Sequence, residues 1–360
     1  MRILTVVGAR PQFIKAAPVS RALQAASIDE FLVHTGQHYD ANMSQIFFDE
    51  LGIPRPDINL GVGSGPHGRQ TGEMLIRLEE VMVTERPDWA LVYGDTNSTI
   101  AAALAAVKLH IPIAHVEAGL RSFNRDMPEE HNRVLTDHCA DLLLCPTQTA
   151  VDNLSNEGVT RGVHLTGDVM YDAALMFGQQ ARRQSDVLSR LGLESKGYLL
   201  ATIHRPHNTD YPERLAGILD AFGQLDAPVI LPIHPRTRKK IADLGLDVDE
   251  LAARCVRIID PVGYLDMLLL EQNARLILTD SGGIQKEAYF FQIPCITLRN
   301  DTEWWETVEA GWNVLVGWDV DKLLHYARTL SPTGEQPQLF GDGRAANKIA
   351  DILLKNGQTS

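Results

Sequence analysis

The sequence predicts an α/β protein built from two doubly wound domains. The chain has 360 residues, a length that suggests about two domains of ordinary size. Its strand-like segments are continuously apolar, as expected for parallel strands that are covered on both faces. Segments with helical spacing of apolar residues separate these strands, so that two series, each of about six strands, alternate with helices. This alternation is typical of doubly wound sheets.

The predicted elements follow one another in a regular order. The first series of strands comprises RILTVVG, EFLVHTG, WALVYGD, PIAHVEAG, LLLCPT and GVHLTGD, and the second comprises YLLATIH, PVILPIH, VRIID, ARLILTD, PCITLR and WNVLVG. Segments such as PQFIKAAPVSRALQAA and NSTIAAALAAVKLH are predicted to be crossover helices. We place the boundary between the domains after Gly167, before the polar helical segment FGQQARRQSDVLSRLGL.

Composition and charge exclude several classes of partner. The net charge of −13 argues against nucleic-acid binding, which requires a basic face. No apolar run approaches the roughly 20 residues needed to span a bilayer, and MRILTVVGARP is predicted to be a first strand rather than a signal peptide. The four cysteines form no CxxC pair, which favours reduced thiols and a cytoplasmic location. We therefore expect a cytoplasmic protein with no nucleic-acid and no membrane partner.

Cofactor motifs are absent from the sequence. The turn after the first strand lacks the GxGxxG fingerprint, and GVGSGPHG follows no strand and is predicted to be a loop. The chain contains no phosphate-binding GxxxxGK[ST], no HExxH, no clustered Cys/His set and no GxSxG elbow. We expect no NAD and no metal.

Two strand ends of the first series carry a carboxylate. Asp95 follows the strand in YGDTNST, and Glu117 ends the apolar run IPIAHVE. Ligands bind at the carboxyl ends of parallel strands, and a partly desolvated carboxylate there is suited to proton transfer. Two structural alternatives remain open: Asp95 as the N-cap of the next helix, and Glu117 in an ion pair with Arg121 or Arg133.

Further charged residues flank these two strand ends. Glu129 and Glu130 follow Pro128 in the predicted first turn of a helix, where a carboxylate also favours the helix dipole, so one of the two has a purely structural alternative. The turn GARPQFIK places Arg10 and Lys15 at the start of the first helix. These bases are candidates for contact with an anion, and solvated surface bases are the alternative.

The motif TDSGGIQKE, Thr279 to Glu287, gives the clearest binding signal of the second series. A strand ends there, and Ser281, Gly282 and Gly283 open a helix with side chains small enough for an anion to reach the backbone N–H groups. This pattern predicts a diphosphate site, with Glu287 one turn further on as a ligand for ribose hydroxyls. An N-cap followed by flexible glycines is the alternative.

Two other strands of the second series end in a histidine that is followed by an arginine. ATIHR supplies His204 and Arg205, and LPIHPR supplies His234 and Arg236. A single histidine is usually structural. Two such pairs at neighbouring strand ends favour a role as ligands for the phosphates of a nucleotide.

Taken together, these motifs resemble the non-hydrolysing UDP-N-acetylglucosamine 2-epimerase family over essentially the whole chain. The resemblance rests on GARPQFIK, HTGQH, YGDTNST, HVEAGLR, PEEHNR, TIHR, LPIHPR and TDSGGIQKEA, in that order. It implies two Rossmann-like domains in a glycosyltransferase-B arrangement with an interdomain cleft, and a homodimer. It also implies that the final helix returns to the first domain, so that this domain comprises residues 1–167 and 344–360 and the UDP-binding domain comprises 168–343.

The family chemistry implies roles for the candidate residues. A base removes the proton at C2 of the sugar while UDP leaves C1, and UDP then adds back to the glycal with a proton delivered to the opposite face, without NAD. By position, Asp95, Glu117 and Glu129 match the acids, Arg133 matches their nearby arginine, Arg10, Lys15 and His204 match residues flanking the sugar diphosphate, and Ser281, Gly282, Gly283 and Glu287 match the UDP-binding motif. The sequence does not assign each acid to a face of C2.

Departures from the family pattern leave two substrates open. The parent activity converts UDP-N-acetylglucosamine to UDP-N-acetylmannosamine. However, TGDVMYD, DPVGYL, QKEA and TEW are features of the branch that acts on UDP-2,3-diacetamido-2,3-dideoxyglucuronate, and Lys286 would suit its extra carboxylate. Either product would serve the biosynthesis of surface polysaccharide such as lipopolysaccharide O-antigen. A glycosyltransferase of the same architecture, a hydrolysing epimerase and a nucleotide-sugar sensor are the alternative functions.

Overall fold

A computed structural model describes residues 1–37, 51, 54–233, 235–245, 248–253 and 255–357. Within these ranges, the side chains of Arg10, Pro235, Val248, Asp249 and Ala252 lie outside the description. The chain divides into two compact units, Met1–Met176 with Gln338–Ser360 and Phe177–Pro337.

The first unit is a seven-stranded sheet with helices on its faces. Its elements are β1 (Arg2–Val7), α1 (Arg10–Ala25), β2 (Asp29–His34), β3 (Ile58–Asn59), α2 (His67–Glu85), β4 (Trp89–Tyr93), α3 (Asn97–Lys108), β5 (Ile113–Val116), α4 (Pro128–Cys139), β6 (Leu142–Cys145), α5 (Gln148–Asn156), β7 (Val163–Leu165) and the first half of α6 (Val169–Gln184). The strand order is β3-β2-β1-β4-β5-β6-β7, and every pairing is parallel.

The second unit is a six-stranded parallel sheet. Its elements after α6 are α7 (Val187–Leu191), β8 (Leu199–Thr202), α8 (Pro206–Thr209), α9 (Pro212–Phe222), β9 (Val229–Pro232), α10 (Pro235–Asp243), α11 (Val248–Ala253), β10 (Val256–Ile259), α12 (Tyr264–Asn273), β11 (Leu276–Thr279), α13 (Gly282–Phe290), β12 (Cys295–Thr297), α14 (Trp305–Glu309), β13 (Asn313–Leu315) and α15 (Val320–Thr329). The strand order is β10-β9-β8-β11-β12-β13.

The predicted fold class, α/β with two doubly wound domains, is confirmed. The central strands β4, β5, β8 and β11 are buried at every residue, because helices cover both faces of each sheet. Each of the twelve predicted strands is present. The two-residue edge strand β3 was missed, because both its residues are exposed and the segment lacks an apolar run.

The last helix, α16 (Ala345–Gly357), belongs to the first unit. The Asp172 carboxylate accepts hydrogen bonds from the backbone N–H groups of Ala345 (3.2 Å) and Ala346 (2.8 Å), so it caps the start of this helix. Residues 168–176 and 338–343 therefore group with the first unit in the structure, whereas the sequence placed them in the second domain. The assignment of these two stretches to the UDP-binding domain stays a prediction. No helix in the described part of the chain is both long and apolar enough to cross a membrane.

Candidate active site

The turn between β1 and α1 is hydrogen-bonded to the end of β4 through Gln12. The backbone N–H groups of Gly8 and Ala9 both donate to Gln12 Oε1, at 2.8 and 3.0 Å. Gln12 Nε2 in turn donates to the carbonyl oxygen of Tyr93 at 2.8 Å. This buried side chain therefore joins two neighbouring strand ends, and it fixes the start of α1, from which Lys15 projects.

Asp95 lies in the turn between β4 and α3, and it does not cap the helix. The N-cap of α3 is Thr96, whose hydroxyl accepts from Thr99 N, so the capping alternative for Asp95 is wrong. The Asp95 carboxylate instead contacts the Arg133 guanidinium. Burial raises the pKa of Asp95 above its ordinary value, although Arg133 and Lys15 act in the opposite direction.

Glu117 leaves β5 in a strained backbone conformation. Its φ of 69° lies in the left-handed region, which a non-glycine residue adopts at a cost of roughly 1–2 kcal/mol. Its buried carboxylate contacts Lys15 Nζ. Arg121, offered by the sequence as a partner for Glu117, pairs with Asp137 and Glu157 instead. The acid at the end of β5 is therefore neutralised by a lysine from α1.

The two adjacent glutamates of α4 have different surroundings. Glu130 is buried and accepts hydrogen bonds from Ser122 N, Ser122 Oγ and Phe123 N, each at 2.9 Å. It also lies 3.2 Å from Arg133 Nη1. Glu129, by contrast, is exposed and lines a cavity. The purely structural role predicted for one of the two glutamates thus fits Glu130, which holds the loop before α4. Glu129 stays the candidate acid.

Asp95 and Glu129 line the same cavity of about 420 Å³ in the first unit. The other residues that line it are Ala9, Pro11, Gln37, His67, Thr96, Asn97 and Asn132.

Five polar residues of this cavity were not among the sequence-based candidates. They are Gln37, His67, Thr96, Asn97 and Asn132. Asn97 Nδ2 lies 3.1 Å from His67 Nδ1, and Asn132 Nδ2 donates to the carbonyl oxygen of Asp95 at 3.0 Å. The position of Asn132 beside Arg133 could have indicated it. His67 lies within GVGSGPHG, the stretch that the sequence marked only as a loop; the structure begins α2 at this residue, and nothing in the stretch pointed to the cavity.

In the second unit, the buried carboxylate of Asp280 organises the end of β8. It accepts from His204 N at 3.1 Å, Arg205 N at 3.0 Å and Asn208 Nδ2 at 3.0 Å. His204 Nδ1 also lies 3.1 Å from Asp280 Oδ1. Burial alone would raise the pKa of Asp280, but the contact with His204 and these donors lower it below its ordinary value. An ionised Asp280 therefore fixes His204 and Arg205 beside the TDSGG segment.

The TDSGG segment opens α13 as predicted. Ser281 is its N-cap, with Ile284 N donating to Ser281 Oγ at 3.5 Å, so the capping alternative holds for this side chain. A Cβ on Gly283 would meet nothing closer than Ser281 Oγ at 3.8 Å, and one on Gly282 would lie 3.4 Å from Glu303 Oε2. The Ser281 N–H already donates to Thr279 Oγ1 at 2.9 Å, so an anion at this turn would meet the N–H groups of Gly282 and Gly283.

Glu287 and Lys286 are both buried on α13. Tyr264 Oη donates to Glu287 Oε1 at 2.9 Å, which orients this carboxylate. The ammonium of Lys286 lies 4.0 Å from the centre of the Trp304 ring, in a cation–π contact. Trp304 of the TEW segment therefore packs directly against Lys286 of the QKEA segment.

The structure places most of the predicted site residues in two groups, one in each unit. Those of the first unit are Lys15, Asp95, Glu117, Glu129 and Arg133, and those of the second are His204, Arg205, Ser281, Gly282, Gly283 and Glu287. His234 lies outside the described residues, as does the side chain of Arg10, whose backbone begins α1. Among the described residues, no group of three or more His, Cys, Asp or Glu side chains could hold a metal ion.

The chain is similar to known epimerases along its whole length. A family model described as UDP-N-acetylglucosamine 2-epimerase matches residues 21–354. UDP-2,3-diacetamido-2,3-dideoxy-D-glucuronate 2-epimerase of Pseudomonas aeruginosa is 54% identical, covering 99% of this chain and 100% of that protein. A UDP-N-acetylglucosamine 2-epimerase homolog of Methanococcus maripaludis is 53% identical, covering 98% and 99%.

Solved structures agree with this result. The crystal structure of Methanocaldococcus jannaschii UDP-GlcNAc 2-epimerase in complex with UDP-GlcNAc and UDP superposes with a TM-score of 0.88 at 45% identity, covering 99% of this chain and 100% of that one. With this identity and coverage, and with the acids and the TDSGG turn at the strand ends, the chain belongs to the UDP-N-acetylglucosamine 2-epimerase family of carbohydrate epimerases.

Proposed function

We propose that this protein is a non-hydrolysing epimerase that inverts C2 of a UDP-sugar by eliminating UDP and adding it back. The observation that carries the proposal is the arrangement of acids in the first unit. Asp95 and Glu117 follow the adjacent strands β4 and β5, each contacts a basic side chain, and Glu129 lines the cavity with Asp95. Adjacent parallel strands end at the same edge of the sheet, so two of these acids can serve opposite faces of one carbon.

The proposed chemistry balances without an added reagent. A carboxylate takes the proton from C2, the C2–H electron pair becomes the C1=C2 double bond, and the C1–O pair leaves with UDP. In the second half of the reaction, UDP attacks C1 of the glycal, and a carboxylic acid gives its proton to the other face of C2. Asp95 suits such a transfer, because burial raises its pKa and so makes its ionised form a stronger base.

Residues of the second unit are proposed to bind UDP. The N–H groups of Gly282 and Gly283 at the start of α13, together with the Ser281 hydroxyl, would hold the diphosphate, and Glu287 would hold the ribose. Asp280 fixes the backbone of His204 and contacts Nδ1 of its ring, so that a protonated His204 can donate from Nε2 to the departing β-phosphate. Arg10, Lys15, Arg205 and His234 keep the anion-binding roles predicted from the sequence.

Two substrates are proposed, in order. The first is UDP-2,3-diacetamido-2,3-dideoxyglucuronate, the substrate in the name of the 54% identical relative. A protein named only as a UDP-N-acetylglucosamine 2-epimerase homolog is 53% identical, and two archaeal proteins named UDP-N-acetylglucosamine 2-epimerase outright are 45% and 44% identical. The second is UDP-N-acetylglucosamine, the substrate named for the family model and for those archaeal relatives. Either product would feed the synthesis of surface polysaccharide, such as lipopolysaccharide O-antigen.

Incubation with each UDP-sugar in D2O tests the reaction. We expect deuterium at C2 of the product for the true substrate, and we expect Glu117→Gln to lose this exchange by roughly 100-fold or more. Folded protein that exchanges neither sugar would overturn the proposal. Transfer of sugar only when an acceptor is added would indicate a glycosyltransferase, accumulation of free UDP with free sugar would indicate a hydrolysing epimerase, and unchanged release would indicate a sensor.

We propose further that the enzyme is a cytoplasmic homodimer that needs neither NAD nor a metal. The proposed elimination uses only proton transfer and a leaving group, so activity should survive dialysis against EDTA and show no dependence on added nicotinamide. Light scattering of the purified chain would measure its mass, and a monomer would contradict the dimer.

A further inference from the structure

His115 is a fully buried histidine whose ring contacts two oxygen atoms. It lies in β5, two residues before Glu117. Its Nδ1 lies 2.7 Å from Asp137 Oδ1, and its Nε2 lies 2.7 Å from the carbonyl oxygen of Gly94. Both distances are those of a strong hydrogen bond.

These two contacts determine the charge of the ring. A neutral imidazole carries one N–H and one bare nitrogen, but the Gly94 carbonyl can only accept. Burial alone would raise the pKa of Asp137, but its charged neighbours lower it below the ordinary value, and the Arg121 guanidinium, 2.7 Å from Asp137 Oδ2, favours the ionised carboxylate whatever the charge of His115. An acceptor then faces each ring nitrogen, and a histidine donates from both nitrogens only as an imidazolium.

The same pair connects the three segments that carry the acids. The Gly94 carbonyl immediately precedes Asp95. Asp137 Oδ2 accepts from Gly119 N at 3.1 Å, in the turn that begins with Glu117, and from Arg121 Nη1 at 2.7 Å. Asp137 itself lies in α4, the helix that also carries Glu129. A buried ion pair thus joins the ends of β4 and β5 to α4.

We propose that the charged pair His115–Asp137 is a positioning device that holds the acid-bearing segments in register. The pair touches the Gly94 carbonyl and the Gly119 N–H, and it acts on the reaction only through the acids that these turns carry. This inference rests on the proposed function, since it assigns the pair to the same proton transfer. It predicts that the fixed geometry stabilises the transition state more than it stabilises bound UDP, so its loss should lower kcat more than UDP affinity.

Nuclear magnetic resonance on the intact wild-type protein tests the charge. With 15N-labelled histidine, the His115 signal is identified as the one lost in His115→Gln. We expect both its ring nitrogens to be protonated at neutral pH, each with its own attached proton. A His115 ring with one bare nitrogen would overturn the inference, and this result does not depend on the activity of any variant.

Kinetics of Asp137→Asn test the positioning role. An asparagine offers one acceptor oxygen, so it cannot receive His115 on one side and Gly119 with Arg121 on the other. We expect kcat to fall roughly 10- to 100-fold, the effect of losing one charged hydrogen bond, with the KM for substrate and the Kd for UDP within about twofold of wild type. Unchanged kcat, or an equal loss of UDP affinity, would contradict the role.

Glu157→Gln is the matched control for destabilisation alone. Glu157 holds the outer side of Arg121, through contacts of 2.6 and 2.8 Å, and does not touch His115. We expect Glu157→Gln to lower the Tm and to keep kcat. A loss of kcat equal to that of Asp137→Asn would show that the His115–Asp137 pair contributes only to general stability. If the wild type catalyses no C2 exchange, the proposed function fails, and the resonance experiment still decides the charge on His115.

Discussion

Replacing Gly8 by alanine should damage the first unit at the turn that supports the acids. A Cβ on Gly8 would lie 2.0 Å from Ser98 Oγ and 2.3 Å from Thr35 Oγ1. Both hydroxyls are buried, and they are hydrogen-bonded to each other at 2.8 Å. The new methyl group therefore has no space, and Ser98, in the first turn of α3, must move.

The size of this effect follows from the distances. Reaching ordinary contact requires a displacement of more than about 1 Å, which costs roughly 1–3 kcal/mol as overpacking. Separating the two hydroxyls adds roughly 0.5–1.5 kcal/mol. A total of roughly 2–4 kcal/mol would lower the Tm of the first unit by about 5–10 °C. Because Asp95 lies three residues before Ser98, a shift of this size should also reduce C2 exchange by roughly 100-fold.

Gly72→Ala provides the matched control. Gly72 lies inside α2, and a Cβ there meets nothing within 4 Å. Alanine is the better helix former by roughly 0.5–1 kcal/mol, so this variant should melt higher and keep full activity. Both variants are compared by thermal unfolding and by the rate of deuterium incorporation. If Gly8→Ala matches the wild type in both, the close approach of β1 to α3 does not constrain the turn, and the reasoning is refuted.

Two further predictions concern buried acids: the first tests the burial of Glu271, and the second tests the backbone strain at Glu117. Glu271 is fully buried, and its carboxyl oxygens have no hydrogen-bond partner among the described residues. Burial raises its pKa well above 4.5, so the folded state keeps a proton that the unfolded state releases, and stability falls as pH rises above 4.5. Glu271→Met should therefore raise the Tm, more at about pH 8 than at about pH 5; a lower Tm at both would contradict this. At Glu117, where φ is 69°, the glycine variant should be more stable than the alanine variant by roughly 1–2 kcal/mol in denaturant unfolding, the reverse of the order in a helix. Equal stabilities would show that the strain is absent, and both variants should lose C2 exchange.

The strands could be predicted because burial on both faces requires a continuous run of apolar residues in the sequence. A strand such as β4, WALVY, is apolar at each position, and the sequence alone shows this. The rule that ligands lie at the carboxyl ends of strands then indicated Asp95, Glu117 and Ser281. These residues stand directly after apolar runs, so neither burial nor position had to be deduced from a distant part of the chain.

Partners of the acids could not be predicted, because they come from distant parts of the sequence. The cation beside Glu117 is Lys15, 102 residues away, and not the nearby Arg121. Asp280 was part of the TDSGG motif, but its bond to the backbone N–H of His204 spans 76 residues. Electrostatic pairing depends on distance in space: the pairing of β8 with β11 brings His204 to Asp280, and helix α1 brings Lys15 to the end of β5.

The strained backbone of Glu117 indicates what constrains this strand end. The turn that follows β5 contains two residues of positive φ, Glu117 at 69° and Gly119 at 79°. Gly119 is required there, because a Cβ would lie 2.3 Å from the Ala150 carbonyl oxygen. At Glu117 a glycine would satisfy the backbone better, yet the position holds a carboxylate in contact with Lys15. Stability alone does not explain this choice, whereas the role proposed for Glu117, a proton-transferring acid held at the edge of the sheet, would explain it.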